Sequence, residues 1–399
     1  LLRWMFPYML LACVTAVGMG MLNARGHFFI PAMGATTLNV IMIASVLWMA
    51  PKWGTVLHEQ IFALALGVLV AGVAQAAFQM PMLWKDGFRY QWVSPWKNET
   101  VQRVVRQMIP GTLGVAAFQI NVALIQGLGL WLDRPEQPII APFHYAVRLL
   151  ELPQGVFAIS LATFLLPTLS ALALEKNYTE FRSTLKHGLG YLIFVNLLMS
   201  MLLITLAEPI IRLLFERGKF DHGATLRTSI ALQCLAGSLV AYSIVNVLAR
   251  AFYALGDIKT PMKISLVCLG LNLVLSGALV WFYRQGGLGL ANTISSAVNV
   301  ILLLYALRKK MGKLDMSSLR SMFLPLTFAI AVATGIAILT SRFWESHVAM
   351  SGLMVKIGAV FVPGTLAGLA YWMIAHGLKV TAAREVSSLI FDRFRKAGK

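Results

Sequence analysis

The sequence predicts an all-α polytopic membrane protein with about eleven transmembrane helices. Two observations carry that expectation. Of 399 residues, 58% are hydrophobic and only 13% charged, and the mean hydropathy is +0.74. Average soluble domains carry about 25% charged residues, so a soluble globular fold is excluded. Second, the apolar residues fall in runs of the roughly 20 that a hydrocarbon core about 30 Å thick requires. These runs lack the period-two alternation of barrel strands, which leaves helices to satisfy the backbone in lipid.

In chain order the candidate spans are 4–22, 31–50, 60–83, 108–131, 139–174, 189–214, 229–254, 262–283, 287–307, 322–340 and 353–376. Lys and Arg on alternate sides of these spans are unequal. One side holds eight: Arg3, Lys52, Arg134, Arg217, Lys219, Arg227, Arg284 and Arg342. The other holds twenty-two, among them Arg25, Lys85, Arg89, Lys97, Lys176, Arg182, Lys186, Lys259, Lys310, Lys313 and a basic tail. The basic side is cytoplasmic, and the C-terminus lies on it. The net charge of +18 is thus a topology signal and not a nucleic-acid footprint. A chain that enters from outside at Leu1 and ends inside after eleven spans reads as lacking an odd number of upstream helices at its N-terminus.

Between the third and fourth spans, the segment 84–107 carries Trp84, Trp92 and Trp96 among basic residues, the composition of a linker at headgroup level. The tail 377–399 spaces Val380, Val386, Leu389, Ile390 and Phe394 among Lys and Arg, an amphipathic surface helix. The cysteines, Cys13, Cys234 and Cys268, lie in apolar runs without metal-ligand spacing, so no metal and no cofactor is implied.

An ionisable group at membrane depth costs about 2.5–3.5 kcal/mol on insertion scales. Arg212, Arg250 and Lys356 fall near span ends and read as anchors that reach the interface. Arg148 does not. It lies nine residues into 139–174, about 13 Å along a helix that rises about 1.5 Å per residue. His144, Arg148 and Glu151 share one helix face, and that face must look onto protein or water. Two readings follow: an Arg148–Glu151 pair that braces helix packing, or an arginine fork that Glu151 neutralises until a phosphate displaces it. His144 is the weaker member, a hydrogen-bonded wall residue or a proton or metal group. Prolines Pro7, Pro110, Pro153, Pro167, Pro325 and Pro363 lie in spans, and Pro153 with Gly155 directly follows the charged face as a candidate gate. Asn121, Asn272, Ser276 and Thr293 are a weak candidate set for sodium; without a carboxylate they read equally as interhelical hydrogen-bond glue.

Several strings carry a family resemblance: Arg3-Trp-Met-Phe-Pro-Tyr; Leu22-Asn23, Phe28, Pro31-Ala32 and Asn39-Val40; Arg148-Leu-Leu-Glu-Leu-Pro-Gln-Gly155 with Leu165-Leu-Pro-Thr-Leu-Ser170; Gly218-Lys-Phe220; and Ala251-Phe-Tyr253 with Asp257-Ile-Lys-Thr-Pro261. Together they resemble the MurJ (MviN) lipid II flippases of the multidrug, oligosaccharidyl-lipid and polysaccharide exporter superfamily. The resemblance implies fourteen helices in two lobes around a cationic cavity, of which these spans would be helices four to fourteen. Residues 1–83 would then complete an N-lobe, 84–107 a cytoplasmic linker, 108–310 a six-helix C-lobe, 311–376 a helix pair that grooves the lipid tail, and 377–399 the tail. It also implies a transporter and not an enzyme, in the bacterial inner membrane. Its substrate would be lipid II, the polyprenyl diphosphate-linked disaccharide pentapeptide; membrane lipids and cell-wall synthesis proteins are further partners. The family's essential arginine, with its glutamate and proline, falls on Arg148, Glu151 and Pro153. Arg25 joins His144 as a further substrate contact. Alternatives from the residues alone are an exporter of another lipid-linked saccharide or a drug, and a noncatalytic scaffold for cell-wall synthesis.

Overall fold

A computed structural model describes residues 1–27, 29–89, 94, 98–134, 137–312, 317–348 and 352–385. Phe28, Trp92, Trp96, Lys97, Lys313 and the tail residues Val386, Leu389, Ile390 and Phe394 lie outside the described residues. The chain divides into two compact units, Leu1–Val105 and Arg106–Lys399.

In the first unit, α1 (Pro7–Ala24) and α2 (Phe29–Trp53) both pack on α3 (Leu57–Lys85). The buried amide of Gln75 donates from Nε2 to the Gly34 carbonyl at 2.8 Å, an interhelical bond of the kind that replaces hydrophobic attraction between helices in lipid. A π-helical turn, Ser45–Met49, widens α2. His27 meets Asp86 at 3.2 Å and ties the α1–α2 turn to the end of α3.

Helix α4 (Glu99–Leu132) leads into the second unit. There follow α5 (Ile140–Leu174), α6 (Tyr178–Thr205), the short α7 (Ala207–Leu214), α8 (His222–Ala236) and α9 (Ser238–Ala254). The last four are α10 (Lys259–Tyr283), α11 (Gln285–Met311), α12 (Ser317–His347) and α13 (Leu353–Gly377). Side-chain caps start two of them: Asn177 accepts from the Glu180 amide ahead of α6, and Asp221 from the Ala224 amide ahead of α8, each satisfying an otherwise orphaned donor. Phe181, Leu192, Phe252 and Leu303 bury against one another where α5, α6, α9 and α11 meet. A second cluster seats α12 and α13 on α6 through Phe194, Met201, Ala333 and Tyr371, whose hydroxyl donates to the Phe194 carbonyl at 2.9 Å. The hairpin α10–α11 is tight. At its turn Arg284 takes φ 49°, and a Cβ on Gly287 would lie 2.4 Å from the Leu279 carbonyl oxygen. Only glycine lets the two backbones approach so closely.

Among the described residues nine helices are long and apolar enough to cross a membrane, or ten if a bent pair counts as one span. The expected count of about eleven lies close to this. The 229–254 run is not one straight rod, because α8 and α9 break at Gly237 and bend by 41°. The 108–131 run lies within one continuous helix, α4. The 189–214 run is also misplaced. Its helix is Tyr178–Thr205, the chain breaks at Leu206, and 207–214 is a separate short helix.

Candidate functional site

The face of α5 is set by its apolar residues. Pro142, Ala146, Leu150 and Pro153 recur at helical spacing and are buried, with Ala146 and Leu150 in the cluster that joins α5 to α8. Arg148 lies two residues from both Ala146 and Leu150, about 200° around a helix of 3.6 residues per turn, so it projects from the opposite side. Its guanidinium donates to Glu151 at 2.8 Å, and the two side chains remain 74% and 50% exposed. Of the three residues expected on this face, the structure brings Arg148 and Glu151 together, while His144 contacts Gln126 of α4 at 3.2 Å between Nε2 atoms.

Immediately below the charged pair, α5 passes through a π-helical turn, Gln154–Ile159. Pro153, buried at its start, has no amide hydrogen for the preceding turn and so frees a carbonyl. The Gly155 carbonyl accepts from Ser160 Oγ at 3.2 Å. A π turn carries one extra residue and weaker packing, a common place for helices to bend. The N-terminal end of α5 is held differently: the Tyr145 ring packs on Phe215 and Phe220, with centroids 4.8 and 5.3 Å away. Gly218 makes the loop between those rings possible with φ +61°. Arg25 is exposed at the end of α1 in the first unit.

The four candidate sodium residues do not converge. Asn121 donates from Nδ2 to the Leu269 carbonyl at 2.9 Å. Asn272 donates to Ser295 Oγ at 3.1 Å and to Asn292 Oδ1 at 3.4 Å, and that oxygen also accepts from Tyr242 at 2.8 Å. Thr293 points elsewhere and donates to the Cys234 carbonyl of α8 at 2.8 Å. Ser276 Oγ is buried without a partner. The polar seam of α9, α10 and α11 is therefore Tyr242, Asn272, Asn292 and Ser295. Among the described residues no group of three or more His, Cys, Asp or Glu side chains is placed to hold a metal.

A second charged centre escaped the sequence reading. Arg212, expected as an interfacial anchor, is only 15% exposed and sits among Glu208, Glu216 at 3.7 Å and Glu345 at 3.8 Å. Glu216 also accepts from Thr225 at 2.7 Å and meets His222 at 3.5 Å. Burial opposes ionisation of Glu216, yet the bonds from Thr225 and His222 and the charges of Arg212 and Lys356 hold its carboxyl below the usual range. The i, i+4, i+8 spacing of Glu208, Arg212 and Glu216 was the available signal.

A polytopic helical membrane protein with an exposed, carboxylate-paired arginine deep in one span is the class that fold and site define. The family model described as "Lipid II flippase MurJ" matches residues 1–358, and the chain belongs to that family. It is similar to the "Probable lipid II flippase MurJ" of Vibrio cholerae, 31% identical over 76% of this chain and 56% of that one. It is likewise similar to the "Lipid II flippase MurJ" of Burkholderia cenocepacia, 31% identical over 77% and 59%. The chain thus spans less than two thirds of both relatives. A solved "Lipid II flippase MurJ, inward closed conformation" shares the fold, with TM-score 0.69, 21% identity, and coverage of 93% of this chain and 73% of that one.

Proposed function

We propose that the protein moves lipid II from the cytoplasmic to the outer leaflet of the bacterial inner membrane by alternating access, as a transporter and not an enzyme, with its C-terminus in the cytoplasm. The observation that carries this reading is Arg148, about 13 Å along its helix by the rise per residue and 74% exposed, with Glu151 as its ion-pair partner. Arginine presents two parallel N–H donors to a diphosphate, of which Glu151 engages one guanidinium nitrogen at 2.8 Å. The headgroup of such a lipid carries phosphates and hydroxyls that hydrocarbon cannot solvate, so a polar face must replace their hydration while the polyprenyl tail stays in lipid. Pro153, Gly155 and the π turn beside the pair supply a place for α5 to flex as access alternates. His144 contributes a further polar contact to the headgroup beside Arg148, and Arg25 is a further substrate contact of the first unit. An inward-negative potential favours outward movement of an anion by about 2.3 kcal/mol per charge per 100 mV.

The test places the natural gene in bacteria depleted of their own lipid II flippase. It scores growth and the accessibility of the labelled headgroup to a membrane-impermeant reagent added outside. Rescue with outward labelling supports the reading. A well-expressed protein that gives neither overturns it.

A further inference from the structure

One turn before Arg148 on the exposed face of α5 stands His144, and its partner comes from another helix. Ile125 of α4 is buried with Ile139 and Ile140 at the start of α5, and a Cβ on Gly129, one turn further along α4, would collide with Ile140 Cδ1. The two helices therefore approach closely, and Gln126, next to Ile125, is carried to the charged face of α5. There its Nε2 lies 3.2 Å from His144 Nε2. An amide nitrogen donates and does not accept, so the ring nitrogen is the acceptor and the imidazole proton sits on Nδ1. Among the described residues this is the one hydrogen bond of either side chain. The pair thus keeps the His144 Nδ1–H and the second Gln126 N–H as donors, and Gln126 Oε1 as an acceptor, without formal charge.

On the function proposed above, which this subsite presupposes, we infer that Gln126 and His144 recognise the sugar joined to the diphosphate of the transported lipid. Residues four apart on a helix have Cβ atoms about 5–6 Å from each other, so an arginine that grips the diphosphate places the pair beside the group bonded to it. That group is a sugar ring, whose hydroxyls both donate and accept. Neutral donors together with an acceptor match it, whereas a second phosphate would meet the Gln126 carbonyl oxygen unfavourably. The pentapeptide is bonded further along the headgroup and lies beyond this reach. Gln126 has two parts in the subsite: it offers its own amide to the sugar, and it holds the imidazole in the tautomer that presents Nδ1–H.

Binding of two lipids to the purified protein, expressed from its natural gene, tests the subsite: bare polyprenyl diphosphate, and the same lipid bearing the disaccharide without its peptide. The glycosylated lipid should bind about tenfold more tightly, the worth of one or two neutral hydrogen bonds. Gln126→Leu, similar in size and apolar, should bring that advantage within about twofold. His144→Phe should do the same, which keeps the test decisive if one variant folds poorly. Arg148→Ala should weaken both lipids by a similar factor. Equal binding of the two lipids by the unaltered protein, or an advantage that survives in either folded variant, overturns the subsite and leaves the proposed function standing as long as Arg148→Ala weakens both. If the unaltered protein binds neither lipid more tightly than a phosphatidylglycerol control, or Arg148→Ala changes nothing, the proposed function falls and the subsite falls with it.

Discussion

Replacing Arg148 with alanine separates bracing from substrate recognition, because the two roles differ in the stability they imply. The Arg148–Glu151 pair spans one turn and is 74% and 50% exposed. A pair this open contributes about 0.2–0.5 kcal/mol, and arginine and alanine differ little in helix propensity, by about 0.2 kcal/mol. Arg148→Ala should therefore shift the thermal midpoint by no more than about 2 °C, taking about 2–4 °C per kcal/mol for a domain of this size. Transport should fall to background in the depletion assay. Arg148→Lys keeps the charge but loses the fork and should restore only part of the activity. Glu151→Ala in the Arg148→Ala background should change stability by no more than the single variants together. The reasoning fails if Arg148→Ala lowers the midpoint by several times the stated shift, which would make the residue a brace. It fails equally if the stable variant transports normally.

Gly287→Ala should destabilise the second unit by about 1–3 kcal/mol through forced separation of α10 and α11, since its Cβ would lie 2.4 Å from the Leu279 carbonyl oxygen. Gly270→Ala, whose Cβ meets nothing within 4 Å, is the control and should be neutral in the same detergent melt. Lys310 bonds Asp257 at 2.7 Å, and chiefly through that bond the carboxyl is depressed from 3.8 to about 2. A depressed carboxyl stabilises above its unfolded value and loses that contribution as pH falls. Asp257→Asn should thus lower stability by about 1 kcal/mol at neutral pH, after discounting for the partly exposed lysine, and melts of the two proteins should converge between pH 4 and 2. Arg212→Ala strips the cation from three carboxylates and should cost about 3 kcal/mol. Because Glu216 is held below its usual range, that deficit should shrink as pH is lowered through the carboxylate range, as followed by melts in a pH series.

The spans were legible because lipid demands length and apolarity, both visible in a single strand of text. The pairing of Arg148 with Glu151 was legible because it is local, one turn apart on one helix. His144 was not, since its partner Gln126 arrives from another helix and nothing in the spacing announces it. Of the candidate sodium set only Asn272 lies in the polar seam; Asn121 turns to the Leu269 carbonyl, and Thr293 faces α8 while its neighbour Asn292 faces Asn272. Adjacent helical residues point about 100° apart, and in lipid both faces of a helix are apolar, so polarity patterns do not tell which face is inward. Arg212 was misread because hydropathy continues smoothly through Leu206, where the chain in fact breaks and turns the arginine towards Glu345 of α12.

What remains to be accounted for is the persistence of a guanidinium in α5. Insertion scales put the cost of an arginine at the helix centre at about 2.5–3.5 kcal/mol, and an exposed pair with Glu151 offsets only a fraction of that. The buried stripe of Pro142, Ala146, Leu150 and Pro153 packs the opposite side of the helix, so apolar packing does not require the charge either. The local structure leaves the cost standing and adds a weakened π turn directly below it. Such an imbalance is characteristic of sites whose interactions are completed by a ligand, and under the proposed function a polyanion that displaces Glu151 would supply the missing favourable term. The same reasoning makes the Arg212 centre structural: three carboxylates already surround that arginine within the protein, leaving no acceptor position for a visitor to supply.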